Sequence, residues 1–296
     1  MKRYALGVYE KAMPGTLTWE EKMRSAGEAG YDFIEISVDE TDAKLSRLDW
    51  TQAERRELVS LMQETGMPVR SMCLSGHRKF PLGHPDEAMR SRSMEIMQKA
   101  SDLSDDLGIR IIQLAGYDVY YEEGNDTTRA FFLENLIRST EMAARKGILL
   151  GFETMETPFM NTTEKAMHYV HAVNSPYLGV YPDLGNITNA AVLDLTGELT
   201  PADPPAPEAV REKVDADLET GRGHLQAMHL KETVPGVFRE VPFGTGHVQF
   251  GAGIRKAWEL GVRRFVTELW YTGSPDWKED LRKAVAHMTP HLDAMR

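Results

Sequence analysis

Cysteine occurs once in 296 residues, at Cys73, so no disulfide can close within the chain. That usage fits a reducing compartment. Cys73 lies in the apolar run SMCL, where a buried, inert thiol is the expectation. Long apolar runs are also missing. No stretch approaches the ~18 apolar residues of a membrane helix, and the opening MKRYALGVYEKAMPG has only a short apolar stretch before Glu10, less than a signal peptide needs. The expectation is a cytoplasmic protein with no membrane partner. Positive charge is scarce: 34 basic residues stand against 45 acidic ones, a net charge of −11. Such a surface repels phosphate backbones, so no nucleic-acid partner is expected. A single phosphate group can still be held by a few local donors. No Gly-x-Gly-x-x-Gly follows the first apolar run, which weakens a dinucleotide-binding reading.

What is present is a regular alternation. Hydrophobic residues make up 42% of the chain, ample for a core. Short strand-like runs occur at 4–9, 32–37, 69–74, 109–115, 148–153, 178–183, 225–230 and 265–270. Amphipathic, charge-bearing stretches separate them, among them 19–30, 51–66, 86–108 and 127–147, with Thr51 placed to cap the second. Gly30, Gly66, Gly108, Gly147 and Gly261 each end a helical stretch just before a strand, as a left-handed C-cap requires. Eight strand-then-helix units in this length predict an α/β fold, a (β/α)8 TIM barrel, with the doubly wound open sheet as rival. The domain expected is a single barrel over residues 1–296. One segment breaks the rhythm: 187–209, rich in proline and acid, reads as an excursion after strand six.

In such a barrel the carboxyl ends of the strands share one face, and that face holds the site. Strand five ends in Glu153 and strand six in Asp183, strand seven carries His229, and strand eight carries Glu268. Three carboxylates and one imidazole suit one divalent ion: Zn²⁺, Mn²⁺, Co²⁺ or Mg²⁺. Each acid alone is ordinary for a solvated loop. Burying three together without a cation would cost several kcal/mol, so the set implies a metal if the barrel is right.

These residues, together with LGVYEKAMP, ISVDETDAKLSRLDW, SMCLSGHRKFPLG, IQLAGYDVYY, YPDLGN, MHLKETVPGVF, VPFGTGHVQF and TELW, resemble the L-ribulose/L-xylulose-5-phosphate 3-epimerases of the xylose-isomerase-like barrel superfamily. The resemblance runs from about residue 4 to 275. It implies a metal on Glu153, Asp183, His229 and Glu268, with Glu153 and Glu268 also catalytic. A sugar-phosphate substrate and a homodimer are further implications. His224 is a rival to His229, but five residues separate them, so both cannot face inward on one strand. The match of AMHLKET favours His229.

Epimerisation at C3 needs removal of a proton next to the C2 ketone. A cation on the ketone and C3 hydroxyl oxygens would stabilise the ene-diolate, with one carboxylate on each face of C3. Candidate substrate contacts are Lys231 and Arg239 after strand seven, His77 after strand three, Asn186 and Glu156. In related free-ketose epimerases a histidine often stands where Asn186 does here, a departure consistent with a different sugar. Two alternatives share the scaffold. One is an aldose–ketose isomerase of the hexulose-6-phosphate isomerase type. The other is an endonuclease-IV-like DNA repair enzyme, which would need more histidine ligands and a basic surface.

Overall fold

The computed structural model describes residues 2–295. Its strands are β1 (Ala5–Tyr9), β2 (Phe33–Val38), β3 (Val69–Leu74), β4 (Ile111–Ala115), β5 (Leu149–Glu153), β6 (Leu178–Val180), β7 (Met228–Leu230) and β8 (Arg264–Thr267). Around them lie α1 (Trp19–Ala29), α2 (Asp42–Leu45), α3 (Gln52–Thr65), α4 (Glu87–Leu107) and α5 (Asp126–Ala144). The remaining helices are α6 (Thr163–Val173), α7 (Leu184–Thr196), α8 (Pro207–Thr220), α9 (Phe250–Glu259) and α10 (Trp277–Asp293). No helix among the described residues is long and apolar enough to cross a membrane.

Local chemistry sets the helix ends. Thr18 and Thr51 cap α1 and α3 in reciprocal capping boxes with Glu21 and Glu54. The five glycines expected to stop helices all have positive φ, from 66° at Gly147 to 99° at Gly30. A side chain at such a position would be strained.

Hydrogen bonding runs from β6 through β5, β4, β3, β2, β1 and β8 to β7, all parallel. The last seam, between β6 and β7, is closed by two parallel bridges, Val180 to Leu225 and Asp183 to His229. There the Gln226 N–H donates to the Val180 carbonyl and the His229 N–H to the Pro182 carbonyl, both at 2.9 Å. Closure removes the free sheet edge. An inner core of Tyr9, Phe33, Cys73, Ile111, Tyr181, Ala227 and Val266 fills the barrel. Gly7 makes room for it, since a Cβ there would lie 2.4 Å from the Phe33 ring. The larger core packs helices onto the outer sheet face through residues such as Leu6, Val8, Ile34, Ile36, Leu150 and Phe265.

Two details differ from the sequence reading. Strands six to eight are shorter than expected, so Asp183 and Glu268 stand just beyond their strands. Much of 187–209 is no loop: its first ten residues belong to α7. Leu184, Ile187, Ala190 and Ala191 recur at helical spacing and are buried, and Gly197 at φ 78° ends the helix. The proline and acid that suggested an excursion lie in 198–206, ahead of Pro207 at the start of α8.

A buried ion cluster ties the first two strand ends to their helices. Glu10, immediately after β1, is fully buried. It accepts from Lys22 of α1 at 3.2 Å, from Lys44 of α2, from both guanidinium ends of Arg47, and from the Ser37 N–H at 2.8 Å. Burial alone would raise the Glu10 pKa, but Arg47, Lys22 and Lys44 outweigh it and hold the carboxyl well below its usual range. A folded pKa below the unfolded one means the cluster stabilises the fold above about pH 4.3. That contribution drains away as pH falls through the folded value. Glu10→Gln leaves three clustered cations unanswered and is expected to cost about 3–5 kcal/mol. Urea unfolding at pH 7 measures this, and the gap to the unmodified protein should narrow below about pH 4.

Candidate metal centre

The carboxyl ends of β5 to β8 deliver four side chains to one point. Glu153 is the last residue of β5, and its neighbour Thr154 accepts the Asp183 N–H on Oγ1 at 2.9 Å. Asp183 caps α7, its Oδ1 accepting the Asn186 N–H at 2.8 Å. His229 is the middle residue of β7. Glu268 follows β8, and its N–H donates to the Leu230 carbonyl at 2.9 Å. All four are buried, and one ligand atom from each lies within 4.8 Å of the others.

The two nitrogens of His229 share one neighbour, the Gln113 amide nitrogen at 3.2 Å from Nδ1 and 3.3 Å from Nε2, and otherwise face different surroundings. Nδ1 is 3.2 Å from Glu268 Oε2, 3.6 Å from Glu153 Oε1 and 4.0 Å from Asp183 Oδ2. Nε2 is 2.6 Å from Glu35 Oε1. The other Glu35 oxygen accepts from the Ser71 hydroxyl at 2.7 Å and the Tyr181 hydroxyl at 2.9 Å. Lys231, also buried, places Nζ 2.9 Å from Asp183 Oδ2 and 3.4 Å from Glu268 Oε2.

Four carboxyl groups therefore meet one lysine and one histidine, so that with all four ionised negative charge would be in excess even with both bases cationic. The titration of Glu153, Asp183, Glu268, His229 and Lys231 reflects that imbalance. Burial raises Glu153, and it raises Asp183 well above the usual range despite Lys231. Burial acts the same way on Glu268, but Lys231 and His229 outweigh it and hold that carboxyl well down. For His229 and Lys231 burial favours the neutral form, yet the surrounding carboxylates keep both raised. Three oxygen donors and one nitrogen, short of positive charge, could hold a metal ion.

Above the cluster, contacts form a ring around the mouth. Lys11 pairs with Asp39 at 2.6 Å, and beside Asp39 in the same loop Glu40 lies 3.9 Å from Arg78. Arg78 lies over the Tyr120 ring at 4.6 Å, and the Tyr120 hydroxyl donates to Glu156 at 3.2 Å. Arg239 donates to the same Glu156 oxygen at 3.0 Å and covers Trp270 at 5.4 Å. Lys11, 5.0 Å from that indole, completes the circuit. Every strand but β6 contributes a loop. A cavity of about 550 Å³, lined in part by Lys231, Glu232, Phe243, Glu268, Trp270 and His287, opens beside it.

Of the residues singled out in the sequence, Glu153, Asp183, His229, Glu268 and Lys231 come together, with Asn186 one helical turn behind Asp183 and donating to the Thr154 carbonyl at 2.7 Å. Glu156 and Arg239 meet on the rim. His77 is buried against α4, with Nε2 3.2 Å from the Ser93 carbonyl, and burial lowers its pKa to about 4. His224 stands at the other end of the β6–β7 seam, where its carbonyl accepts the Val180 N–H. Glu35, Ser71 and Tyr181 were not singled out. A lone charge inside the apolar run FIEIS was the available signal for Glu35.

This barrel, with its carboxylate–histidine cluster at the strand ends, belongs to the xylose isomerase-like TIM barrel family, whose profile matches residues 23–291. Within that family the chain is 47% identical over 284 residues to the L-ribulose-5-phosphate 3-epimerase UlaE of Salmonella paratyphi A, covering 96% of this chain and 93% of that one. It is 43% identical, over the same shares, to the protein of that name from Salmonella paratyphi C. Among solved structures, D-allulose 3-epimerase from Methylomonas sp. superposes with a TM-score of 0.75 at 19% identity, over 98% of both chains. An L-ribulose 3-epimerase does so with 0.72 at 16%, over 99% of this chain and 96% of that one. These distant structures share the fold.

If the cluster takes a cation, the native state gains linkage stability. Mn²⁺ at about a hundred times its Kd should add about 2.7 kcal/mol. Differential scanning calorimetry reads this as a raised Tm, and Asp183→Asn should abolish the shift.

Proposed function

We propose that the protein interconverts L-ribulose 5-phosphate and L-xylulose 5-phosphate by moving a proton at C3. The observation that carries this reading is the pair Glu153 and Glu268. Two strands that are not neighbours, β5 and β8, bring their carboxylates within 4.8 Å of each other in a buried site. The relatives at 43–47% identity bear the name of that activity.

Glu153, Asp183, His229 and Glu268 would hold a divalent ion, with Mn²⁺, Co²⁺, Zn²⁺ and Mg²⁺ as candidates, and it would supply positive charge to offset the negative charge that develops as the C3 proton leaves. The chain's own residues do the rest. One glutamate takes the C3 proton and the other returns one to the opposite face, with roles exchanging as the reaction reverses. Lys231 holds Asp183 and Glu268 in place and adds a fixed positive charge in a dry site, where it counts for more than in water. Lys11, Arg78 and Arg239 are the cations of the rim, and the 5-phosphate is read as held there.

Incubation with L-ribulose 5-phosphate in D2O tests the reading. Deuterium at C3, with L-xylulose 5-phosphate appearing and the exchange stopping on chelation, is expected by NMR. Exchange at C1 with an aldose product would make the protein an isomerase instead. Glu153→Gln and Glu268→Gln should each lower kcat by about 10²–10⁴-fold. Neutralising Lys11, Arg78 or Arg239 should raise KM for the phosphate ester and leave that for free L-ribulose unchanged.

A further inference from the structure

We infer that Glu35 is a positioning residue that commits His229 to hold the ion through Nδ1. The inference rests on the metal-centre reading but not on the substrate. Glu35 is fully buried on β2, across the barrel from β7, and nothing in the proposed chemistry at C3 uses it. Its carboxylate is nonetheless fully engaged. Ser71 on β3 and Tyr181 just past β6 donate to Oε2, and His229 Nε2 lies 2.6 Å from Oε1.

A carboxylate that already receives two hydroxyl donors is fixed in position and offers its remaining oxygen as an acceptor. The nitrogen facing it must therefore carry a proton. Nδ1 is turned toward Glu153, Asp183 and Glu268, the three oxygen donors, at 3.2–4.0 Å, while the Gln113 amide nitrogen, 3.2 Å from Nδ1 and 3.3 Å from Nε2, does not distinguish the two. An imidazole bound to a metal keeps one N–H, and the partner of that N–H selects the tautomer and fixes the ring plane. Glu35 fills that part, so it is no fifth ligand.

Zinc, which is diamagnetic, allows a direct test. In zinc-loaded protein with ¹⁵N-labelled histidine, long-range ¹H–¹⁵N correlation should show His229 protonated at Nε2 and metal-bound at Nδ1, its signals identified by their loss in His229→Gln. Glu35→Gln keeps an acceptor for Nε2–H and should retain that tautomer. Glu35→Leu removes the acceptor. It should bind zinc about 10–100-fold more weakly in competition with a chromogenic chelator. Protonation at Nδ1 in the unmodified protein, or native zinc affinity in Glu35→Leu, would overturn the inference. The spectrum of the unmodified protein decides even if Glu35→Leu fails to fold. Absence of saturable zinc binding by the unmodified protein would overturn the metal centre and this assignment with it, whereas zinc binding without epimerase activity would fault only the proposed reaction.

Discussion

Burying Glu35, Glu153, Asp183 and Glu268 within reach of one another costs several kcal/mol per charge unless cations answer them, and among the described residues Lys231 and His229 are the bases that touch them. The rest of the site is arranged around this imbalance. Lys231 sits between two of the acids, His229 bridges the isolated one and the clustered three, and Thr154 pins the backbone of Asp183. A core designed for stability alone would fill this space with apolar side chains, as the rest of the barrel interior does with Phe33, Ile111 and Val266.

The same face uses two opposite solutions for buried charge. Around Glu10 the cations outnumber the acid three to one, and the carboxyl is held ionised far below its ordinary range. In the cluster below the rim the acids outnumber the cations. The first arrangement ties α1, α2 and the turn carrying Arg47 to the ends of β1 and β2, a structural role. The second leaves the acids in the majority, in a group of three oxygen donors and one nitrogen that could hold a metal ion.

Much of this was legible in the chain. Eight apolar runs at even spacing, with glycines before the strands, follow from the needs of a parallel barrel, and the strand-end acids follow from where such barrels put their chemistry. The second half of the barrel read less well. β6 and β7 are three residues each, and the seam between them is held by bridges, so their apolar runs overstate the paired length. Helix α7 was hidden by the proline-rich segment after it, although Leu184, Ile187, Ala190 and Ala191 carry a helical period. Glu35 escaped because a charge inside a strand is silent about its partners: Ser71, Tyr181 and His229 arrive from three other parts of the sequence, and only closure of the barrel brings them to it.

The seam between β6 and β7 carries a last implication. Of its two bridges, the one nearer the mouth joins Asp183 to His229. An ion gripped by both would act as a rivet across the least hydrogen-bonded joint of the barrel, adding a coordinate link where the peptide ladder is thinnest. The hoop of strands and the reaction centre would then share one fastener. Reinforcement of that joint and chemical competence would come and go together.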